Sequence, residues 1–133
     1  RRVLFRSSTV PVEQLRATSD GVIAFRQSAQ VNRNSTTTLT VSDLKNGIIL
    51  SAPVANITLT MPTGTDLEAA FNSPYSSIAF QWSVVNQNSG VSVFVSGGTN
   101  SLVYGLGTVG ANTSGRFVTR RSSSGVFHTY RIA

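Results

Sequence analysis

From residue 35 onward the chain repeats one kind of unit. Short runs rich in Val, Ile, Thr and Phe alternate with breaks of Gly, Ser, Asn or Pro. The runs are "STTTLTV" (35–41), "IILSAP" (48–53), "NITLTMP" (56–62), "SIAFQWSVVN" (77–86), "VSVFVSG" (91–97), "SLVYG" (101–105), "GRFVTRR" (115–121) and "GVFHTYRI" (125–132). β-Branched and aromatic side chains fit a half-buried pleated surface, and turn signals at such spacing predict an all-β sandwich or barrel. Within 77–86 the alternation places Ile78, Phe80, Trp82 and Val84 on one face, against Ser77, Ala79, Gln81 and Ser83 on the other. Val91, Val93 and Val95 share a face with Phe94 opposite. In 125–132, Val126, His128, Tyr130 and Ile132 fall on one side and Phe127, Thr129 and Arg131 on the other. Neither side is cleanly apolar, which predicts an edge strand or one covered by a partner on both faces.

Two stretches break the strand pattern. "TDLEAAFN" (65–72) predicts a short helix, with Thr65 or Asp66 as its cap and Glu68 in the first turn, where the helix dipole favours an anion. "SDLKNG" (42–47) predicts a turn, with Ser42 or Asp43 as cap and Asn46-Gly47 as the strongest short-range turn signal in the chain. Residues 1–33 have no sustained period. They predict an N-terminal arm, with one helical turn at Glu13–Ala17 and an edge strand at 21–27. The division is therefore an arm over 1–33 and a β-sandwich domain over 34–133, a size that supports one core without disulfides. There is no cysteine, so thiolate metal sites are excluded.

Charge is concentrated at the two ends. Residues 1–33 carry six Arg against Glu13 and Asp20, a net +4; residues 34–115 carry Lys45 against Asp43, Asp66 and Glu68, a net −2; residues 116–133 carry four Arg and no acid, a net +4, for +6 in all. Arg suits fixed, bidentate contacts better than Lys does. The cations are dispersed singly, with no basic tract and little aromatic interleaving, so carboxylates on a protein partner are the expected target ahead of nucleic acid. No apolar run approaches the ~18–20 residues of a membrane-spanning helix. "RRVLF" is too short an apolar stretch for a signal peptide, and the absence of an initial Met fits a processed product or part of a longer chain.

The order of segments carries a resemblance. "TLTVSDLKNGIILSAPVANITLTMPTGTDLEAAF", then "FQWSVVNQNSGVSVFVSGG", then "GTVGANTSGRFVTRRSSSGVFHTYRI" resembles small β-modules in virion proteins of tailed phages and other large double-stranded DNA viruses. The resemblance covers residues 36–132 and lies in the order of ordinary strand and turn motifs. It implies a jelly-roll-like or related sandwich, used in capsid decoration (cement) proteins or in fibre and spike elements, usually as homotrimers and without catalytic residues.

Motifs for chemistry find little support. Gly105, Gly107 and Gly110 spell G-x-G-x-x-G, the dinucleotide fingerprint. A true fingerprint opens a helix and has an acid about 20 residues later for the ribose. Here "ANTSGR" is a poor helix interior and no Asp or Glu follows Glu68, so the glycines read as turn positions. One histidine, His128, offers neither a zinc site nor a triad without a nucleophile elbow. Asp66 and Glu68, two apart on a helix, point to different sides and do not make a glycosidase pair. No catalytic, cofactor or metal residue is therefore assigned.

The sequence reading is a virion structural protein on the capsid exterior: a decoration or minor capsid protein, not an enzyme, that stabilises the shell by binding the major capsid protein or another virion protein. Arg1, Arg2, Arg6, Arg16, Arg120 and Arg121 are the expected contacts. The alternative is a fibre or spike domain that recognises a host receptor or glycan through exposed aromatics such as Tyr75, Tyr104 and Tyr130.

Overall fold

The computed structural model describes residues 28–71 and 77–133, together with the backbone of two strands nearer the N-terminus. Those two are β1 (Leu15–Ala17) and β2 (Ile23–Phe25), an antiparallel pair forming a small sheet of their own. The helical turn expected at Glu13–Ala17 is thus strand over Leu15–Ala17. The remaining elements, in order, are β3 (Val31–Asn32), β4 (Thr37–Thr38), α1 (Val41–Asn46), β5 (Ile48–Ser51), β6 (Ile57–Thr60), α2 (Gly64–Ala70), β7 (Ala79–Asn86), β8 (Val93–Ser96), β9 (Ser101–Tyr104), β10 (Thr108–Val109), β11 (Ser114–Ser123) and β12 (Val126–Arg131). The described chain is mainly β, as its composition predicts.

The two helices are set by their caps. Thr40 caps α1 by accepting from the Asp43 N–H, and the Asp43 carboxylate accepts from the Thr40 N–H, closing a capping box. Gly47 ends the helix at φ 80°, a left-handed position that Gly adopts without steric cost, and its N–H donates to the Leu44 carbonyl. The expected turn at 42–47 is therefore a helix capped by Thr40, not by Ser42 or Asp43, and Asn46-Gly47 forms its C-terminal end. Thr63 caps α2, two residues before the earliest cap the sequence suggested. Gly64 opens that helix where the chain passes against the β11–β12 connection: a Cβ there would lie 2.0 Å from the Gly125 carbonyl oxygen.

Successive strands alternate between sheets. β3, β5, β7 and β9 belong to a six-stranded sheet of order β3-β5-β7-β11-β12-β9, and β4, β6, β8 and β10 make a four-stranded sheet of order β10-β8-β6-β4. Parallel neighbours need a crossover connection, and up to β8 each crossover runs through the other sheet. Accordingly β3–β5–β7 and β4–β6–β8 are parallel ladders, whereas β10 returns antiparallel to β8. β11 then pairs antiparallel with β7 and β12, and β9 closes the far edge parallel to β12. Strand β12 is thus interior to its sheet. The edge expected there falls on β9.

The inner residues of both sheets form one core with the helices. Ile49, Trp82, Val84, Phe117 and Phe127 of the larger sheet pack with Leu59, Val93, Val95 and Val109 of the smaller one and with Leu44 and Leu67 of the helices. Trp82 and Phe117, cross-strand partners, stack at 4.7 Å between ring centroids. Burying an aromatic side chain removes ~150–250 Å² from water, roughly 4–6 kcal/mol before the ordering entropy is charged against it. Three polar side chains in this layer are bonded in series. The Trp82 indole N–H donates to Thr119 Oγ1 at 2.9 Å, and Thr119 Oγ1 lies 2.8 Å from Thr129 Oγ1. This is why β12 lacks a clean apolar side: Thr129 faces inward as a hydrogen-bonding partner.

Candidate interaction surface

The outward residues of the six-stranded sheet follow from the same alternation. On β11, Gly115, Phe117 and Thr119 are buried, which leaves Arg116, Val118 and Arg120 facing solvent. Register then builds two rows across the sheet. Leu102 on β9, His128 on β12, Arg120 on β11 and Ala79 on β7 form one. Tyr104, Tyr130, Val118 and Gln81 form the next. Beyond them, Arg116 lies beside Ser83, and Ser83 beside Ile48 of β5. Leu102, Tyr104, Ile48 and Ile132 are exposed.

The aromatic side chains gather on the β9–β12 side. Tyr104 and Tyr130 stack at 5.3 Å and 16°, and His128 meets Tyr104 edge-on at 5.1 Å. The Tyr130 hydroxyl lies 3.4 Å from His128 Nδ1. Arg116 and Arg120 are four residues apart on one strand, about 14 Å at the usual strand rise. Both are exposed.

The remaining described acids and cations are largely occupied. Arg33 grips Asp43 with two bonds, at 2.7 and 3.0 Å, and Asp43 is buried in its capping box. Arg121 is bidentate on Glu68, at 2.7 and 2.8 Å, joining β11 to α2, and the Gly125 N–H also donates to that carboxylate. The hydrogen bond from Arg121 holds the Glu68 carboxyl below its ordinary value, against the opposing effect of burial, with help from Gly125 and from the Arg121 charge. Lys45 donates to the Ala70 carbonyl and sits 5.0 Å from the Phe71 ring centre, closing the end of α2.

Of the contacts expected from sequence, Arg120 lies on the outer face and Arg121 is held by Glu68, so these neighbours in sequence have different surroundings. Arg16 falls in β1 opposite Ala24. Arg1, Arg2, Arg6 and Tyr75 lie outside the described residues. The structure adds Arg116, His128, Leu102 and Ile48 to the surface. Their signal was outward alternation on β5, β9, β11 and β12. It becomes a site only once β9 is known to pair with β12.

The glycine motif makes a connection between sheets. Gly105 adopts φ 85° as the chain leaves β9, and Gly107 passes so close to β8 that a Cβ would lie 2.1 Å from the Val95 carbonyl oxygen. The loop offers carbonyls to donors from elsewhere. Arg131 donates to Leu106, Thr108, Ser114 and Ala133, and the Asn86 amide to Val91, Val109 and Gly110. A phosphate cradle presents N–H groups instead. The segment after it is a turn leading into β11, where a dinucleotide fingerprint would open a helix. Among the described residues no cluster of three or more His, Cys, Asp or Glu is placed to hold a metal, and no helix is long and apolar enough to cross a membrane.

Comparison with protein-family models, curated proteins and solved structures finds no match.

Proposed function

We propose that the protein is a virion structural protein of the decoration or minor capsid kind, a homotrimer that attaches to the outside of a shell by protein–protein contacts. In this reading the two sheets form a sandwich around their common core. The sandwich is a rigid support, and the outer face of the larger sheet is its attachment surface. The observation that carries the reading is the composition of that face: tyrosines, aliphatic side chains and two arginines, with no acid among its described residues. Tyr and Arg lead the residue types that dominate binding energy at protein interfaces. The resemblance in segment order supports the virion setting. Light scattering on the isolated protein, with co-sedimentation on empty capsid shells, tests it. A trimer that sediments with shells is the expected result, and a monomer that stays in the supernatant overturns it.

The exposed Tyr104, stacked on the half-buried Tyr130, favours one second reading, a fibre or spike domain that binds a host glycan. The two separate on location in the assembled particle. A decoration protein contacts several shell subunits, whereas a spike domain presents its face away from the virion.

A further inference from the structure

Beside Arg116 the outer face dips into a shallow depression of about 460 Å³. Ile48 and Val85 give it an apolar side, Ser83 and Ser114 bring hydroxyls, and Arg116 supplies the charge. The arginine has no ion-pair partner among the described residues: the pairs there are Arg33–Asp43 and Arg121–Glu68, and the third described acid, Asp66, lies in the first turn of α2. Arg120, about 14 Å along the same strand, is likewise without an acid.

We propose that this depression is a socket for a carboxylate side chain of an acidic partner protein, presented next to an apolar residue, with Arg120 as a second anchor on the same face. The proposal rests on the attachment reading above and names the chemistry of the partner. A guanidinium takes a carboxylate bidentately, the serine hydroxyls donate to its remaining lone pairs, and the aliphatic side takes the apolar neighbour. Charge argues against the other occupants. A second copy carries the same net +6 and, in a two-fold contact, would set this acid-free face against itself. A single-stranded nucleic acid would supply anions but binds by stacking bases on open ring faces. Tyr104 and Tyr130 stack on each other, which covers one face of each ring.

The test is a titration of the isotope-labelled full chain, followed by nuclear magnetic resonance. Three probes are used: a blocked peptide alternating leucine and glutamate, the same peptide with glutamine for glutamate, and an oligothymidylate. The expected result is saturable shifts at Ser83, Ser114 and Arg116 with the glutamate peptide at millimolar concentration. Arg116→Ser should weaken that binding by about tenfold or more, as loss of a charge-assisted bidentate pair requires. Lys45→Ser, which removes the same unit of charge elsewhere, should leave it unchanged. Equal binding of the glutamine peptide, tighter binding of the oligothymidylate, or no shifts at all would each overturn the socket. So would shifts at these residues that depend on protein concentration alone, since a second copy would then be the occupant. If the peptide binds but shells are not bound, the socket stands and the virion reading falls. If shells are bound and the peptide is not, the reverse holds.

Discussion

The two faces of the six-stranded sheet are written by alternate residues of the same strands, and they treat polar groups in opposite ways. On the inner face, Trp82, Thr119 and Thr129 pass hydrogen bonds from one to the next, and the space between them is filled by Phe117 and Phe127. Ser101 Oγ is the one described buried side-chain atom left without a partner. On the outer face, Arg116 and Arg120 have no ion-pair partner among the described residues, and the ring contacts of Tyr104 and Tyr130 there are with each other and with His128. Hydrogen bonding inside, complete but for Ser101, holds the fold together. The unmet valence outside has no use in folding, which is why it is read as a surface for contact.

Substitutions should therefore separate along this division. Trp82→Ala, which empties the centre of the inner face, should cost about 3–5 kcal/mol by urea unfolding. A loss below about 1 kcal/mol would mean that the core does not depend on the Trp82–Phe117 stack. Thr119→Val keeps the shape but strands the Trp82 indole N–H, at about 1–3 kcal/mol; Thr119→Ser, which retains the hydroxyl, should recover part of that loss.

The Arg121–Glu68 pair tests a case between the two faces, a cation satisfied within the chain. The Glu68 carboxyl is held below its ordinary value. Its support is thus complete above the ordinary glutamate range, near pH 4, and is lost as pH falls through the lowered value. Glu68→Gln should lower the urea midpoint at neutral pH and reduce its fall on acidification. A variant with the acid dependence of the parent would show that Glu68 does not couple folding to pH. The smallest effect is expected outside: Arg116→Ser and Arg120→Ser should each change stability by no more than about 0.5 kcal/mol. A larger loss would make these arginines part of the fold and remove the contrast between the faces.

Much of the inner face was legible in the sequence. The alternation in 77–86 places Trp82 and Val84 inside, as found, because period-two patterning needs no knowledge of neighbours. Helix α2 was also legible, with its cap displaced to Thr63. Helix α1 was not. It has six residues, and its capping box uses Asp43 where the familiar signature has Glu or Gln, so Asn46-Gly47 is the stronger local signal in the sequence. The outer face was legible only in fragments. Tyr104 and Tyr130 are neighbours because β9 runs parallel to β12, and a strand's own sequence does not say which strand lies beside it. Arg116 obeys the same alternation as Arg120, and its place on the face follows only from the pairing of β11 with β7 and of β7 with β5.

The Arg131 clamp has a consequence for the order of events during synthesis. Its guanidinium gathers carbonyls from the β9–β10 loop and from the start of β11, so that loop has no anchor on this side until β12 has been made. Trp82 likewise waits for Thr119, 37 residues later, before its indole N–H is satisfied. A nascent chain carrying β3 to β8 therefore holds the parallel ladders with one side of its core open to water. Such a surface is prone to premature association. Closure belongs to the final strands, and truncation before β12 should yield an aggregating product rather than a smaller stable domain.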